Sequence, residues 1–393
     1  MNKIDDNRMI PIYRFPEFTD GWKIEQLSNL LDYERPDNYI VKDTNYLTEG
    51  TPVLTANKSF ILGYTQETFG ICNDLPAIIF DDFTVDKKFV DFPFKVKSSA
   101  IKILRPKGKD DLKFIFELMS LIRFEAKDHK RYYISAYQNL PVSIPKPSEQ
   151  NKIAACLTSL DLIIKAEIQK LEFLYKYKKG LLQNLFPKEG KTVPEFRFKE
   201  FTKIWRKVKL KEVSLYFNGG SYENDVKEDG KYELITLKSI NTNGQLVSSK
   251  RFVDIEVPTL AKDTLVMILS EQAPGLLGMT AIIPIGNKYV LNQRVAEIRP
   301  NQEVESYFLS MAINRNQTYF SKHGAGMKVQ NISKPNVQNY EFLIPEIQEQ
   351  KKISTCLSSL DEIILTQNQK LDSLQFHKKG LLQGLFSTIN NEK

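Results

Sequence analysis

The segment from Glu149 to Phe186, EQNKIAACLTSLDLIIKAEIQKLEFLYKYKKGLLQNLF, returns 200 residues later as EQKKISTCLSSLDEIILTQNQKLDSLQFHKKGLLQGLF, from Glu349 to Phe386. Roughly six positions in ten are identical without a gap, and such a repeat fixes the architecture before any local reading begins. Within it, Ile153, Leu157, Leu160, Ile164, Leu171 and Leu174 alternate at four and three residues, continuing to Leu181 and Leu185. That is the spacing of a coiled-coil seam on one long helix. The second copy places Ile353, Leu357, Leu360, Ile364, Leu371 and Leu374 on the same seam. Two seam positions are polar or charged in both copies, Glu167/Gln367 and Lys178/Lys378. Polar groups there penalise slipped registers, so the two helices are expected to be matched to each other. A helix of about 35 residues is about 50 Å long, which reads as a spacer. Two independent amphipathic helices, each packed on its own domain, are the alternative.

A second, weaker repeat opens each half. PIYRFPEFTDGWKIEQL begins at Pro11 and PEFRFKEFTKIWRKVKL at Pro194, an offset of 183 rather than 200. Similar ends around dissimilar middles imply a tandem duplication carrying two different specificities. The middles read as strands: TPVLTA, AIIFDDF, KFVDFPFKV and SAIKIL in the first, ELITL, TLVMIL, TAIIPI, YVLN and VAEIRP in the second. Each set leads through an Arg-Pro to one amphipathic helix, DLKFIFELMSLIRFEAK or VESYFLSMAINRNQTYF. The expected fold is α+β, with two β-rich domains on curved or barrel-like sheets and two long antiparallel helices related by a pseudo-twofold axis. The expected boundaries are an arm over 1–20, a domain over 21–146, a helix over 147–188, a linker over 189–203, a domain over 204–345, and a helix and tail over 346–393. The segments around Trp22 and Trp205, with the outer helix faces, are expected to form two equivalent docking surfaces; core packing of both tryptophans is the alternative.

Bulk properties bound the class. The 393 residues suit two domains, and 41% hydrophobic with 26% charged residues is ordinary for a water-soluble globular chain. No apolar run approaches the roughly 20 residues of a membrane span. The N-terminus lacks a signal-peptide core, which points to the cytoplasm. Cys72, Cys156 and Cys356 are too few for a disulfide scaffold, and the latter two read as small packing residues. A net charge of +7 permits an anionic partner without demanding one. His129, His323 and His377 lack metal-ligand spacing. Phosphate-cradling glycine loops and the amino-methyltransferase motif are missing. Glu125-Ala126-Lys127 matches half of a nuclease motif, but a solvated surface pair on a helix is the stronger reading.

The domains do carry basic, amide and aromatic loop residues. Phosphates call for Lys, Arg and exposed backbone N–H groups, and base edges call for Arg, Asn and Gln. The candidate DNA-binding residues are Lys58, Lys87, Lys88, Lys130, Arg131, Tyr132 and Tyr133 in the first domain. In the second they are Gly220, Ser221, Lys238, Lys250, Arg251, Gln272, Arg294, Lys322, His323, Lys328 and Gln330. Glycine-rich turns are expected to let the backbone approach a ligand closely.

Duplicated variable domains alternating with long helices, each bearing E-Q-x-K-I, C-L-x-S-L-D and K-K-G-L-L-Q, resemble the DNA specificity subunit of type I restriction-modification enzymes. The resemblance covers nearly the whole chain and is strongest in the helices. It implies that each domain reads one half of a split site on double-stranded DNA and that the helices space the halves. It also implies docking of two methyltransferase subunits, which bring S-adenosylmethionine and methylate adenine N6. Restriction subunits would add ATP- and Mg2+-dependent cleavage, this chain binding no cofactor and performing no chemistry itself. A DNA-binding antirestriction or scaffold protein is the alternative, and a stand-alone nuclease the third reading.

Overall fold

The computed structural model describes residues 10–57, 59–126, 130–271 and 275–387. The chain divides into two compact units, and the division cuts both long helices. Residues up to Gln169 and from Gln369 onward form the first unit, and Lys170–Asn368 the second.

In the first unit, strands Leu31–Glu34, Ile101–Pro106, Ala77–Asp81 and Lys87–Val90 form an antiparallel sheet in that spatial order. A three-stranded sheet orders Ile61–Thr65, Thr51–Leu54 and Lys95–Val96, the last pair parallel. The second unit repeats this plan. Ser214–Asn218, Val295–Pro300, Leu265–Ile268 and Thr280–Ile282 form its four-stranded sheet. Phe252–Val253, Tyr232–Ile235 and Tyr289–Leu291 form its three-stranded sheet, again with one parallel pair. The middles therefore share a topology although their sequences diverge.

A two-stranded ribbon closes each domain just before its long helix. Lys23–Gln26 pairs with Pro141–Ile144, and Arg206–Lys209 with Glu341–Ile344. Ile-Pro then ends each ribbon, and the long helices Pro147–Asn184 and Ile347–Leu385 follow.

The seam expected from the four-three spacing is the buried face of both helices. Ile153, Leu157, Leu160, Ile353, Leu357, Leu360 and Ile364 are buried, and Ile164, Leu171, Leu174, Leu371 and Leu374 are half-buried. Within the first unit Asp161 meets Lys378 at 2.6 Å, and Glu167 meets Lys370 at 2.5 Å. Within the second, Lys178 meets Asp361 at 2.5 Å, and Tyr175 faces Asn368. In each unit one partner number rises as the other falls, so the helix segments run antiparallel. The polar seam residue Lys178 and its equivalent Lys378 are thus the cations of two matched ion pairs. Burial alone would raise the Asp161 carboxyl, but Lys113 at 2.8 Å and Lys378 outweigh it and hold it below the usual carboxylate range. In the second unit Tyr307 O–H donates to Asp361 from the position of Lys113.

The Glu-Gln that opens each repeat proves structural. Arg14 grips Glu149 with Nε on Oε1 and Nη2 on Oε2, both at 2.8 Å, and Trp22 Nε1 donates to Oε1 at 3.3 Å. Arg197, Trp205 and Glu349 repeat these distances. Gln150 accepts from the Asp111 N–H at 2.9 Å and donates to the Pro145 carbonyl at 3.0 Å, and Gln350 does the same with Glu305 and Pro345. Each arm, helix start and domain helix are thus fastened by one buried polar cluster. Trp22 and Trp205, 4% and 2% exposed, are core residues, which corrects their expected place on a docking surface. Their bulky rings and single N–H are satisfied internally.

The far end of the opposite helix completes each core. Phe386 stacks on Phe114 at 5.0 Å in the first unit, and Phe186 on Phe308 at 5.0 Å in the second. The helix expected over 111–127 is shorter, Leu112–Leu121, because the chain turns extended at Ile122. The one expected over 304–320 is two helices, Ser306–Asn314 and Gln317–His323. Asn316 leaves helical geometry there, and the second helix buries Phe320 against Tyr340.

Candidate nucleic-acid interface

In the second unit, three of the expected cations line one cleft of about 610 Å³: Lys238, Arg251 and Arg294, beside Gln293, Asn292 and Glu223. Local geometry sets each. Thr236 and Ser239 close a turn that presents Lys238, with the Thr236 N–H on Ser239 Oγ at 2.9 Å. Arg294 stands at φ +65°, in the left-handed region, on the turn between strands Tyr289–Leu291 and Val295–Pro300. Glu223 accepts from Arg251 and from Asn292 Nδ2, and these bonds hold its carboxyl below the usual range. Arg251 is therefore partly neutralised within the protein. Lys238 forms no ion pair with a described residue, and Arg294, which also forms none, lies near enough to Glu223 to help lower its carboxyl.

Gly219 and Gly220 have a different role from the one expected. A Cβ on Gly219 would lie 1.9 Å from the Asn292 carbonyl oxygen, and one on Gly220 2.3 Å from the Tyr222 ring. These glycines allow the chain to pass against its own backbone, with the Gly220 N–H on Leu291 O at 3.0 Å. Ser221 and Lys250 are exposed. Gln272 lies outside the described residues.

A second feature runs from Ser306 to Tyr340, 35 residues that include Arg315, Lys322, Lys328 and Lys334 but no Asp or Glu. Lys322 and His323 line a cavity of about 1070 Å³ with Lys188, Lys191, Lys207 and Arg315. The His323 ring stacks on Tyr319 at 4.1 Å. Lys328 is exposed on a loop, and Gln330 is half-buried in a short ribbon with Ser270–Glu271.

In the first unit the segment after residue 130 lies on the hairpin of strands Ala77–Asp81 and Lys87–Val90. The N–H groups of Tyr132 and Tyr133 donate to the main-chain and side-chain oxygens of Asp82, each at 2.8 Å. Both tyrosines are buried, with Tyr133 against Tyr33 and Phe80 and Tyr132 against Phe124. Their expected contact with nucleic acid is corrected: they pack the core and hold the segment down. Lys130 and Arg131 remain exposed, Arg131 over Phe83. Lys87 and Lys88 are half-buried, Lys87 5.6 Å from the centre of the Tyr137 ring. Desolvation lowers the Lys87 ammonium to about 8, against a smaller opposing pull from Asp86, so this lysine carries less charge than its type implies. Lys58 and Lys127 lie outside the described residues. Among the described residues no group of three or more His, Cys, Asp or Glu is arranged to hold a metal, and no helix is long and apolar enough to cross a membrane.

The type I restriction modification DNA specificity domain matches residues 202–375. The specificity subunit of the type I restriction enzymes EcoR124I and EcoR124II from Escherichia coli is 27% identical over 373 residues, 88% of each chain. That of MjaVIII from Methanocaldococcus jannaschii is 22% identical, covering 96% of this chain and 92% of the relative. Among solved structures, the S subunit of a type I system from M. genitalium superposes with a TM-score of 0.68 at 16% identity, over 97% of this chain and 100% of the other. A chain from a study of complex assembly and conformational transition in the type I R-M system gives 0.55 at 15% identity, over 95% and 99%. The duplicated units, the matched helices and these likenesses agree: the chain carries a type I restriction modification DNA specificity domain over residues 202–375, and along most of its length it is similar to the specificity subunits of type I restriction enzymes.

Proposed function

We propose that each unit reads one half of a split DNA site, that the long helices set the gap between the halves, and that they carry two methyltransferase subunits. The observation that supports this best is the pairing of a repeated frame with unrepeated loops. Both units use the same sheet order and the same Arg-Glu-Trp cluster, yet their exposed cations sit on different turns. In the second unit, Lys238, Arg251 and Arg294 at one cleft, with Lys250, Lys322 and Lys328, supply phosphate and base-edge contacts. In the first, Lys130 and Arg131 do so, with Lys87 and Lys88 in a lesser part. Arg294 and Gln330 are the side chains suited to base edges. S-adenosylmethionine belongs to the methyltransferase partners, and ATP and Mg2+ to restriction subunits where these join. A cytoplasmic site of action suits such a complex.

Replacing residues 205–345 with the matching segment of a relative tests the reading. The chimaera, assembled with methyltransferase subunits, should methylate a site in which one half is new and the other retained, as read by methylation-sensitive sequencing. A chimaera in which both halves change together would refute it. Binding of DNA without any partner-dependent methylation would favour the scaffold alternative.

A further inference from the structure

Met327 is the most exposed large apolar side chain among the described residues, at 104%. Its position is built rather than incidental. Ala325 and Asn331 exchange two backbone hydrogen bonds of 2.9 Å, closing the loop beneath it. Gly326 stands at φ +126°, where a Cβ would meet the Val329 carbonyl oxygen at 2.0 Å, so only glycine makes this tip. The base of the loop is pinned where Gln330–Asn331 pairs with Ser270–Glu271. On this closed loop the methionine side chain stands fully in solvent.

Its surroundings are cationic. Lys328 follows it directly and Lys322 precedes it by five residues, both exposed, within the acid-free stretch from Ser306 to Tyr340. Glu271, on the neighbouring strand, is buried and turned inward to accept the N–H groups of Leu276 and Leu277 at 2.7 and 2.8 Å. An apolar tip inside a basic rim is the complement of a nucleic-acid duplex, which is an anionic rim around an apolar stack of bases. Unbranched, flexible methionine is among the side chains that enter such stacks.

We propose that Met327 is an apolar wedge that enters between two stacked base pairs of the half-site read by the second unit and opens that step. The proposal rests on the DNA-reading function above and deepens it. Lys322 and Lys328 hold the phosphates on either side, and the closed loop supplies the stiffness that insertion requires. Opening a step makes recognition sensitive to how easily that step unstacks, so the chain selects sequence at a position without a hydrogen bond to it.

The test uses the full chain and duplexes that it selects from a random pool, with 2-aminopurine placed in turn at each position of the selected half-sites. Fluorescence should rise several-fold at one step of one half-site on binding. Met327→Ala should abolish that rise and weaken binding by about tenfold, the scale of one lost buried side chain. Met327→Leu should restore both, and Lys328→Ala should weaken binding while leaving the rise in place. The thermal midpoint of Met327→Ala should match the wild type, since the residue touches no core. Binding without a fluorescent step, or a step that survives Met327→Ala, overturns the wedge alone. A chain that selects no duplex overturns the DNA reading, and the wedge with it.

Discussion

Glu149→Ala should destabilise one unit of this protein and spare the other. The carboxylate is 3% exposed and accepts two hydrogen bonds from Arg14 and one from Trp22. Removing it leaves a guanidinium that is only 12% exposed with the Asp20 carbonyl in place of a carboxylate partner, and an indole N–H without its acceptor. Breaking a buried pair from one side costs about 3 kcal/mol or more, chiefly through the stranded charge. For a unit of this size that lowers the melting midpoint by roughly 6–12 °C. The chain holds two tryptophans, one in each cluster, so fluorescence can follow the units separately. With Trp205→Phe as background, Trp22 alone reports, and its transition should drop by that amount. With Trp22→Phe as background, the Trp205 transition should stay within about 1 kcal/mol of its parent. Glu349→Ala should produce the mirror result, because its bonds have the same lengths. Arg14→Ala added to Glu149→Ala should cost far less than Arg14→Ala alone, since the pair is already broken. A loss under about 1 kcal/mol from Glu149→Ala, or equal shifts at both reporters, would refute the reasoning.

Other expectations follow from the geometry. Four residues inserted into both long helices, after Gln169 and after Gln369, add about 6 Å of helix while keeping the named ion pairs within each unit. The gap in the methylated site should lengthen by about two base pairs with both half-sites unchanged, and an altered half-site in the methylation pattern would contradict the spacer. Tyr133 O–H is buried without a hydrogen-bond partner among the described residues, so Tyr133→Phe should leave DNA binding intact and leave urea stability equal or up to about 1 kcal/mol higher. Lys87 should make stability depend on pH. Its folded value of about 8 lies below that of the unfolded chain, so between the two the unfolded state holds more protons and stability rises with pH. The advantage of Lys87→Met over wild type should be greatest below pH 8 and vanish near pH 10 in paired urea titrations.

The long helices and the duplication were legible because a seam repeats on a fixed period and the copies align without a gap. The shared topology of the two middles was not. Sheet order depends on which strands meet, and Ile101–Pro106 and Val295–Pro300 occupy the same central place with few side chains in common. Glu149 and Gln150 were visible as a motif, yet their role needed partners more than a hundred positions away in Arg14 and Trp22. Tyr132 and Tyr133 misled because two basic neighbours make an aromatic pair look like a surface. The pin that buries them, Asp82, is about fifty residues upstream. Among the cations, type alone could not separate Arg251, already engaged by Glu223, from Lys238 and Arg294. The Gly-Gly before Ser221 signalled close approach correctly, but the approaching group is the chain itself.

The division of each long helix between two units also orders events at the ribosome. The second unit draws on one continuous stretch, Lys170–Asn368, and the buried residues of its main core have all been made once synthesis reaches Leu357. The first unit is discontinuous: its strands are complete by Ile144, but Leu385 and Phe386 belong to its core. At a synthesis rate of about 5–20 residues per second, roughly 12–48 s separate those strands from the phenylalanine that stacks on Phe114. During that interval the face of Phe114 on which Phe386 stacks lacks its cover, although Trp22 already packs against the ring. The nascent first unit is therefore the natural client of a chaperone, and the second can close while still being made.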